Sequence, residues 1–399
     1  MPTIAHLPEL VAALPAALRD RCNQLFLVER VQGQAIPPPP MHPWVEQHFG
    51  SVEAVTTQTI IKVTNRLTLE TAVYNPLRAR RPLDSGRNSA SSADAALEAA
   101  IAAYAGEQDT FRNPEQGTTA DTFGRIRGAH CVSASNIAKY DGWHGLVIFN
   151  PFHPLTFTRA QLRDYFDVAL RWLVAAHQTD PRARYPLITW NCLWKSGASI
   201  THGHLQMVLS QQAPFGKVEQ QRRSRTEYQQ RTGRDLSDDL YLLHEALGLA
   251  VTHSSDVRGY VTLTPIKDRE LTLESATIPA LAQLQATGTP PVHGPPLDAA
   301  ALSAALVPLW DATYTALRHL IEQQGVRSFN LVAELPPLAP VTEAWGDARA
   351  RVRVVDRGDP LSRMVNFGAM ELYAGSIINT DPFALAAVLR PYFRVSRAP

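Results

Sequence analysis

The sequence predicts an α+β protein in which one unit, antiparallel strands with packed helices, occurs twice. Three observations predict it. Short apolar runs closed by Asn, Gly or Pro alternate with longer segments of helical periodicity. The order strand, helix, strand, strand returns in the second half of the chain. The 399 residues are 45% hydrophobic and 19% charged, enough for two cores or one large duplicated domain.

The elements follow in order. Ala5 to Arg19 reads as an amphipathic helix on the body of the protein, interrupted by Glu9 and Arg19. Pro37 to Pro40, then His42-Pro43, form a stiff extended connector. Residues 1–55 are therefore taken as a helical and Pro-rich extension. Gly145–Phe149 is a compact strand ended by Asn150-Pro151. Thr158 with Gln161 makes a capping box, and Leu162, Phe166, Ala169, Leu170 and Leu173 follow at helical spacing. Leu187–Trp190 and His202–Leu209 are two further strands. These belong to a first half spanning 56–235.

A second half, 236–399, repeats the order. Gly259–Leu263 leads to Thr264-Pro265 much as Gly145–Phe149 leads to Asn150-Pro151. Asp298 caps a long helical pattern in which Pro308 predicts a kink or a break. Phe329–Val332 corresponds to Ile188–Asn191, and Arg351–Val355 to His202–Gln206. The second copy has Arg where the first has His, so only the first is expected to be catalytic. Tyr373–Ile378 and Asp381-Pro382 read as a strand or turn feeding a capped final helix.

The formal net charge of +1 provides no broad field for nucleic acid. No stretch approaches the ~18 consecutive apolar residues of a membrane span. Cys22, Cys131 and Cys192 form no CxxC pair and read as reduced thiols. The expected location is cytoplasmic, with no nucleic-acid or membrane partner.

Chemistry concentrates in Ser196–Gln206. On a strand His202, His204 and Gln206 point the same way, while Leu205 and Met207 face the core. Upstream, Ser196, Gly197, Ala198 and Ser199 provide small side chains, backbone N–H groups and a hydroxyl that let an anion approach. An imidazole beside such donors suits attack on phosphorus. With 13 histidines, chance supplies roughly 0.4 His-x-His pairs, so the pair alone decides nothing. A satisfied structural pair, a metal half-site and a nucleophile all remain open on spacing.

The longer string resembles the histidine-triad superfamily, in the branch of galactose-1-phosphate uridylyltransferase and diadenosine tetraphosphate phosphorylases. Members carry Gly-Cys/Ala-Ser-x-x-His-x-His-x-Gln, and Gly197, Ala198, Ser199, His202, His204 and Gln206 match it. The resemblance implies a duplicated histidine-triad-like fold and nucleotidylation of His204, with Ser199 and Gln206 holding the transferred phosphate. Asn191 stands eight positions before Ser199, as the phosphate-contacting Asn of the branch does. Asn75-Pro-Leu-Arg78 with Arg81-Pro82 resembles N-terminal elements of the branch, and Asn136 matches a base-contacting Asn. Arg78 and Arg81 could hold a phosphate by forked donation, and Lys195 abuts the small-residue loop.

The expected activity is nucleotidyl transfer through a nucleotidyl-histidine, uridylyltransferase-like, between a nucleoside diphosphate sugar and a sugar phosphate. Phosphorolysis or hydrolysis of such a sugar or of a dinucleoside polyphosphate is the alternative; a nucleotide-binding protein without turnover is another. Uridylyltransferases often bind zinc through a CxxC pair, a loop His and the first motif His. His153 and His202 hold the latter two positions, but Gln108–Phe111, where the pair is expected, has no cysteine. No metal ligand is therefore assigned and no cofactor is certain; zinc stays open through the two candidate ligands His153 and His202, which are taken as substrate-binding residues. Members of the branch are commonly dimers, so the resemblance implies a homodimer.

Overall fold

A computed structural model describes residues 2–80, 90–286, 297–346 and 348–395. Its strands fall into two sheets. The smaller is built from β1 (Phe26–Gln34), β2 (Thr57–Asn65), β3 (Thr71–Tyr74) and the C-terminal β13 (Gly375–Ile378), in that order, with β13 parallel to β3. The larger has nine strands: β4 (Cys131–Ser135), β5 (Trp143–Phe149), β6 (Tyr185–Cys192), β7 (His204–Ser210), β8 (Ala250–His253), β9 (Val257–Val261), β10 (Leu271–Thr277), β11 (Phe329–Glu334) and β12 (Arg349–Asp356). Their order is β4-β5-β7-β6-β11-β12-β10-β9-β8, antiparallel throughout.

The duplication is written in that order. Moving outward from the β6–β11 pair, β6, β7, β5 and β4 on one side are met by β11, β12, β10 and β9 on the other. Each half places its long helix before the central strand, Arg159–Thr179 before β6 and Ala299–Glu322 before β11. The two helices pack side by side, with Phe166 and Trp310 stacked 4.0 Å apart and Arg163 bonded to Asp311. Phe329–Val332 and Arg351–Val355 thus repeat the strands assigned to them. Gly259–Leu263 does not: β9 takes the position of β4, and β10 that of β5. Both candidates are short apolar strands, and a local pattern carries no information about which neighbour each strand will pair with.

The sheet buries one face under these helices. Leu205, Met207 and Leu209 of β7, Ile188 and Trp190 of β6, and Val352 and Val354 of β12 are at or near zero exposure and join one continuous apolar cluster. Thr158 caps the first helix with the expected box. The second runs from Ala299 to Glu322 through Pro308 without a break.

The first 55 residues are not only helix and Pro-rich connector. The expected N-terminal helix is divided at Ala13–Pro15 into Leu7–Ala12 and Ala16–Leu25, where Pro15 cannot continue the first segment. Phe26–Gln34 then pairs along its whole length with Thr57–Asn65, so a boundary at residue 55 would separate two partners in one sheet. The half-exposed strand Phe-Leu-Val-Glu-Arg-Val carries too weak an alternation to stand out from the sequence.

Candidate active site

β7 begins at His204, and its alternation sends Leu205 and Met207 to the helices and His204 and Gln206 to the opposite face. Phe111, Ala134, Leu146, Ile148 and Ile200 form a small second cluster on that face. The Phe111 ring meets the His204 imidazole edge-on at 5.3 Å. His204 is 6% exposed, and its Nδ1 donates to the carbonyl oxygen of His202 at 2.8 Å. Nε2 is then the nitrogen with the free lone pair. Burial pushes the ring below the ordinary histidine range, so it stays neutral at pH 7.

His202 lies before the strand, in the turn against β5. Gly203 is needed there, since a Cβ would come within 2.4 Å of the Phe149 ring. Both ring nitrogens of His202 face oxygen acceptors: Asp109 Oδ2 and the carbonyl of Phe149, each at 2.7 Å. The His202 and Asp109 side chains are each 4% exposed.

Two carboxamides flank His204. Gln206 accepts at Oε1 from His144 Nε2, 3.1 Å away. The tautomer follows from the other nitrogen, since Tyr140 N–H donates to His144 Nδ1 at 3.1 Å and Nε2 must hold the proton. Asn136 Nδ2 also lies 3.2 Å from that Nε2, but with the proton on Nε2 the two face each other as donors and form no hydrogen bond. On the other side the ladder pairs Thr189 with Gln206, so Asn191 comes level with His204 two residues on. Asn191 accepts at Oδ1 from Asn330 Nδ2 at 2.7 Å, and Asn330 donates also to Ser196 O at 2.9 Å. In both carboxamides the oxygen is engaged, which leaves the NH₂ end as the free donor.

Beyond Asn191 the chain turns sharply. Leu193 holds φ 67° and ψ 168°, a region nearly reserved for glycine, and Gly197 holds φ 98°. The second half grips this turn: Ser328 Oγ donates to Cys192 O, Trp194 Nε1 to Pro360 O and Lys195 Nζ to Ser362 O and Met364 O. The result is a strained, tightly held loop whose Gly197 and Ser199 remain exposed.

Solved structures with a similar fold exist. An ADP-glucose phosphorylase from Arabidopsis thaliana, solved with bound ADP-glucose, superposes with a TM-score of 0.58 over 83% of this chain and 98% of its own, at 14% identity. A uridylyltransferase superposes with a TM-score of 0.51 over 70% of this chain and 90% of its own, also at 14% identity. The fold is that of the uridylyltransferases and sugar-nucleotide phosphorylases. No family model matches the sequence, and no curated protein matches it either.

Within this uridylyltransferase-type fold, the structure brings His202, His204, Gln206, Asn191 and Asn136 to one place and adds residues the sequence did not single out. Asp109, Asn330, Phe111 and His144 are new, and His144 bonds Gln206 directly. Ala198 is buried at the base of the loop and Ser199 is exposed at its lip. Lys195, expected to face the substrate, has its ammonium held by the carbonyls of Ser362 and Met364, because the loop that follows β12 covers it. Arg78 is exposed on the short turn Pro76–Arg80 beside the smaller sheet. Arg81 lies outside the described residues.

The two residues considered as zinc ligands have other partners in this structure. His202 has both nitrogens committed, and His153 bonds Glu98 through Nε2 at 3.1 Å and accepts Leu155 N–H at Nδ1. Among the described residues no three His, Cys, Asp or Glu side chains are placed to hold a metal ion. Cys192 and Cys131 are buried thiols whose pKa burial raises, which argues against nucleophilic roles.

Proposed function

We propose that the protein is a nucleotidyltransferase that passes a nucleoside monophosphate through His204. The observation that carries this reading is the His204 Nδ1 to His202 O bond, which leaves Nε2 of a neutral ring with its lone pair free, close to the Asn191 and Gln206 amides. Nε2 attacks the α-phosphorus of a nucleoside diphosphate sugar, a P–N bond forms, and the bond to the bridging oxygen breaks. The sugar 1-phosphate leaves with the bridging oxygen and its electron pair. Asn191 and Gln206 donate N–H to the oxygens of the transferring phosphoryl group, whose charge is spread over them in the transition state. An acceptor phosphate then attacks the same phosphorus, the P–N bond breaks, and His204 returns to its neutral form.

A sugar phosphate as acceptor gives a uridylyltransferase-like exchange. Inorganic phosphate as acceptor gives a phosphorylase, a reading supported by the likeness to ADP-glucose phosphorylase over nearly all of that protein. The experiment that tests the proposal is intact-protein mass spectrometry after incubation with UDP-glucose, ADP-glucose or diadenosine tetraphosphate. One of them should add a nucleoside monophosphate to the wild type and none to His204→Ala. Unchanged turnover in His204→Ala would overturn the proposal. Product analysis with phosphate or a sugar 1-phosphate then assigns the acceptor.

A further inference from the structure

The second half carries no histidine pair, yet its central strand reaches the site. Asn330 of β11 pairs in register with Asn191 of β6, across the seam where the halves join. Its amide is held at both ends by groups that leave no choice of orientation. Arg357 Nη1 donates to Asn330 Oδ1 at 2.6 Å, and a guanidinium can only donate. Ser196 O accepts from Asn330 Nδ2, and a carbonyl can only accept. Asn330 must therefore present N–H to Asn191 Oδ1, and Asn191 in turn must present its own NH₂ away from the seam. Charge and carbonyl direction together settle an orientation that amide geometry alone would leave ambiguous.

Arg357 is equipped for such a role. It is half-buried, and its remaining bonds go to Asn366 Oδ1 from Nε at 3.2 Å and from Nη2 at 3.1 Å. Among the described residues no carboxylate forms an ion pair with it, so it serves as a source of donors rather than as one side of a salt bridge. The acidic side chain next to it in sequence, Asp356, is bonded to Arg269 and to Gly358 N–H instead.

We propose that Asn330 and Arg357 are positioning residues: they fix the direction of the Asn191 amide, so that the degenerate half sets the polarity of the phosphate site in the first half. The inference rests on the proposed role of Asn191 as a phosphate contact. Asn330→Asp is the discriminating change, because it is nearly isosteric and its carboxylate can still accept from Arg357. The other oxygen, however, would face Asn191 and draw the Asn191 NH₂ toward the seam, which turns Oδ1 toward the anion.

The test is calorimetric binding of ADP and UDP to the full chain, in a double-mutant cycle with Asn191→Ala. Asn330→Asp should weaken binding of the preferred nucleotide by about tenfold to a hundredfold in the wild-type background. In the Asn191→Ala background the loss should shrink to about threefold or less, the remainder coming from the Ser196 contact. Arg357→Gln, which can present either end of its amide to Asn330, goes through the same cycle and guards against an Asn330→Asp protein that does not fold. Equal losses in both backgrounds would overturn the relay. A wild type that binds nucleotide but forms no adduct would overturn the transfer reading alone and leave the cycle readable. A wild type that binds neither nucleotide overturns both.

Discussion

His204 donates through Nδ1 to the carbonyl oxygen of His202, its neighbour two residues back, at 2.8 Å. The bond fixes the tautomer, and burial holds the ring below the ordinary histidine range. A base whose pKa is lowered keeps its lone pair as the solution is acidified through the ordinary range. Adduct formation should therefore stay level from pH 8 through about 6.5, the unperturbed imidazole value, and fall only at lower pH. Single-turnover rates between pH 4.5 and 8 would check this. A half-maximal rate at or above the unperturbed value would contradict the burial argument.

The bond between His202 and Asp109 leads to a second expectation. Asp109→Ala would leave a buried ring nitrogen of His202 without its partner, and a buried polar group left unsatisfied costs about 1–3 kcal/mol. The urea midpoint should fall accordingly. Adduct formation should fall as well, since the His202 carbonyl that holds His204 belongs to the same residue. An Asp109→Ala protein as stable as the wild type would show that the pair has no structural weight.

Gln206 depends on His144 for its orientation. With His144→Leu, Oε1 of Gln206 has no donor, and the amide is free to turn an oxygen toward the phosphate. The lost interaction is a transition-state hydrogen bond, for which a drop of about tenfold to a hundredfold in adduct rate is expected, with nucleotide affinity less affected. Gln206→Leu should reach a similar rate, and the two changes together should cost little more than either one. Additive losses would mean that His144 acts on the site by another route.

These relationships mark what the sequence could reveal. The segment Ser196–Gln206 was legible because period-two alternation, small residues and spacing lie within one short stretch. So were the capping box at Thr158 and the order of elements in the two halves. Asn330 and Asp109 were not legible, since each meets the site through a tertiary contact more than 90 residues distant in the chain. Asn330 stood in a strand already matched to β6, but a strand pattern does not say which residue will stand opposite which. Asp109 lay within the stretch Gln108–Phe111, noted only for its lack of cysteine. Lys195 misled for the same reason: a charge beside a loop does not reveal which way the covering segment will draw it.

Stability should also respond to pH through a histidine remote from the site. His244, 1% exposed, donates from Nδ1 to Leu240 O at 2.7 Å and accepts Leu263 N–H at Nε2. Protonation would set a second N–H against that of Leu263, and burial lowers the pKa to about 4. The unfolded chain takes up a proton near pH 6.5, whereas the folded protein does not do so until about pH 4. Stability is thus unaffected by this group above about pH 6.5, declines as the pH falls toward about 4, and levels off below it. The full effect is about 3 kcal/mol. His244→Phe should lower the urea midpoint at pH 7.5, because it abandons two buried hydrogen bonds, but it should flatten the decline toward pH 4.5. If the variant loses stability with acid as steeply as the wild type, the decline belongs to other buried groups and not to His244.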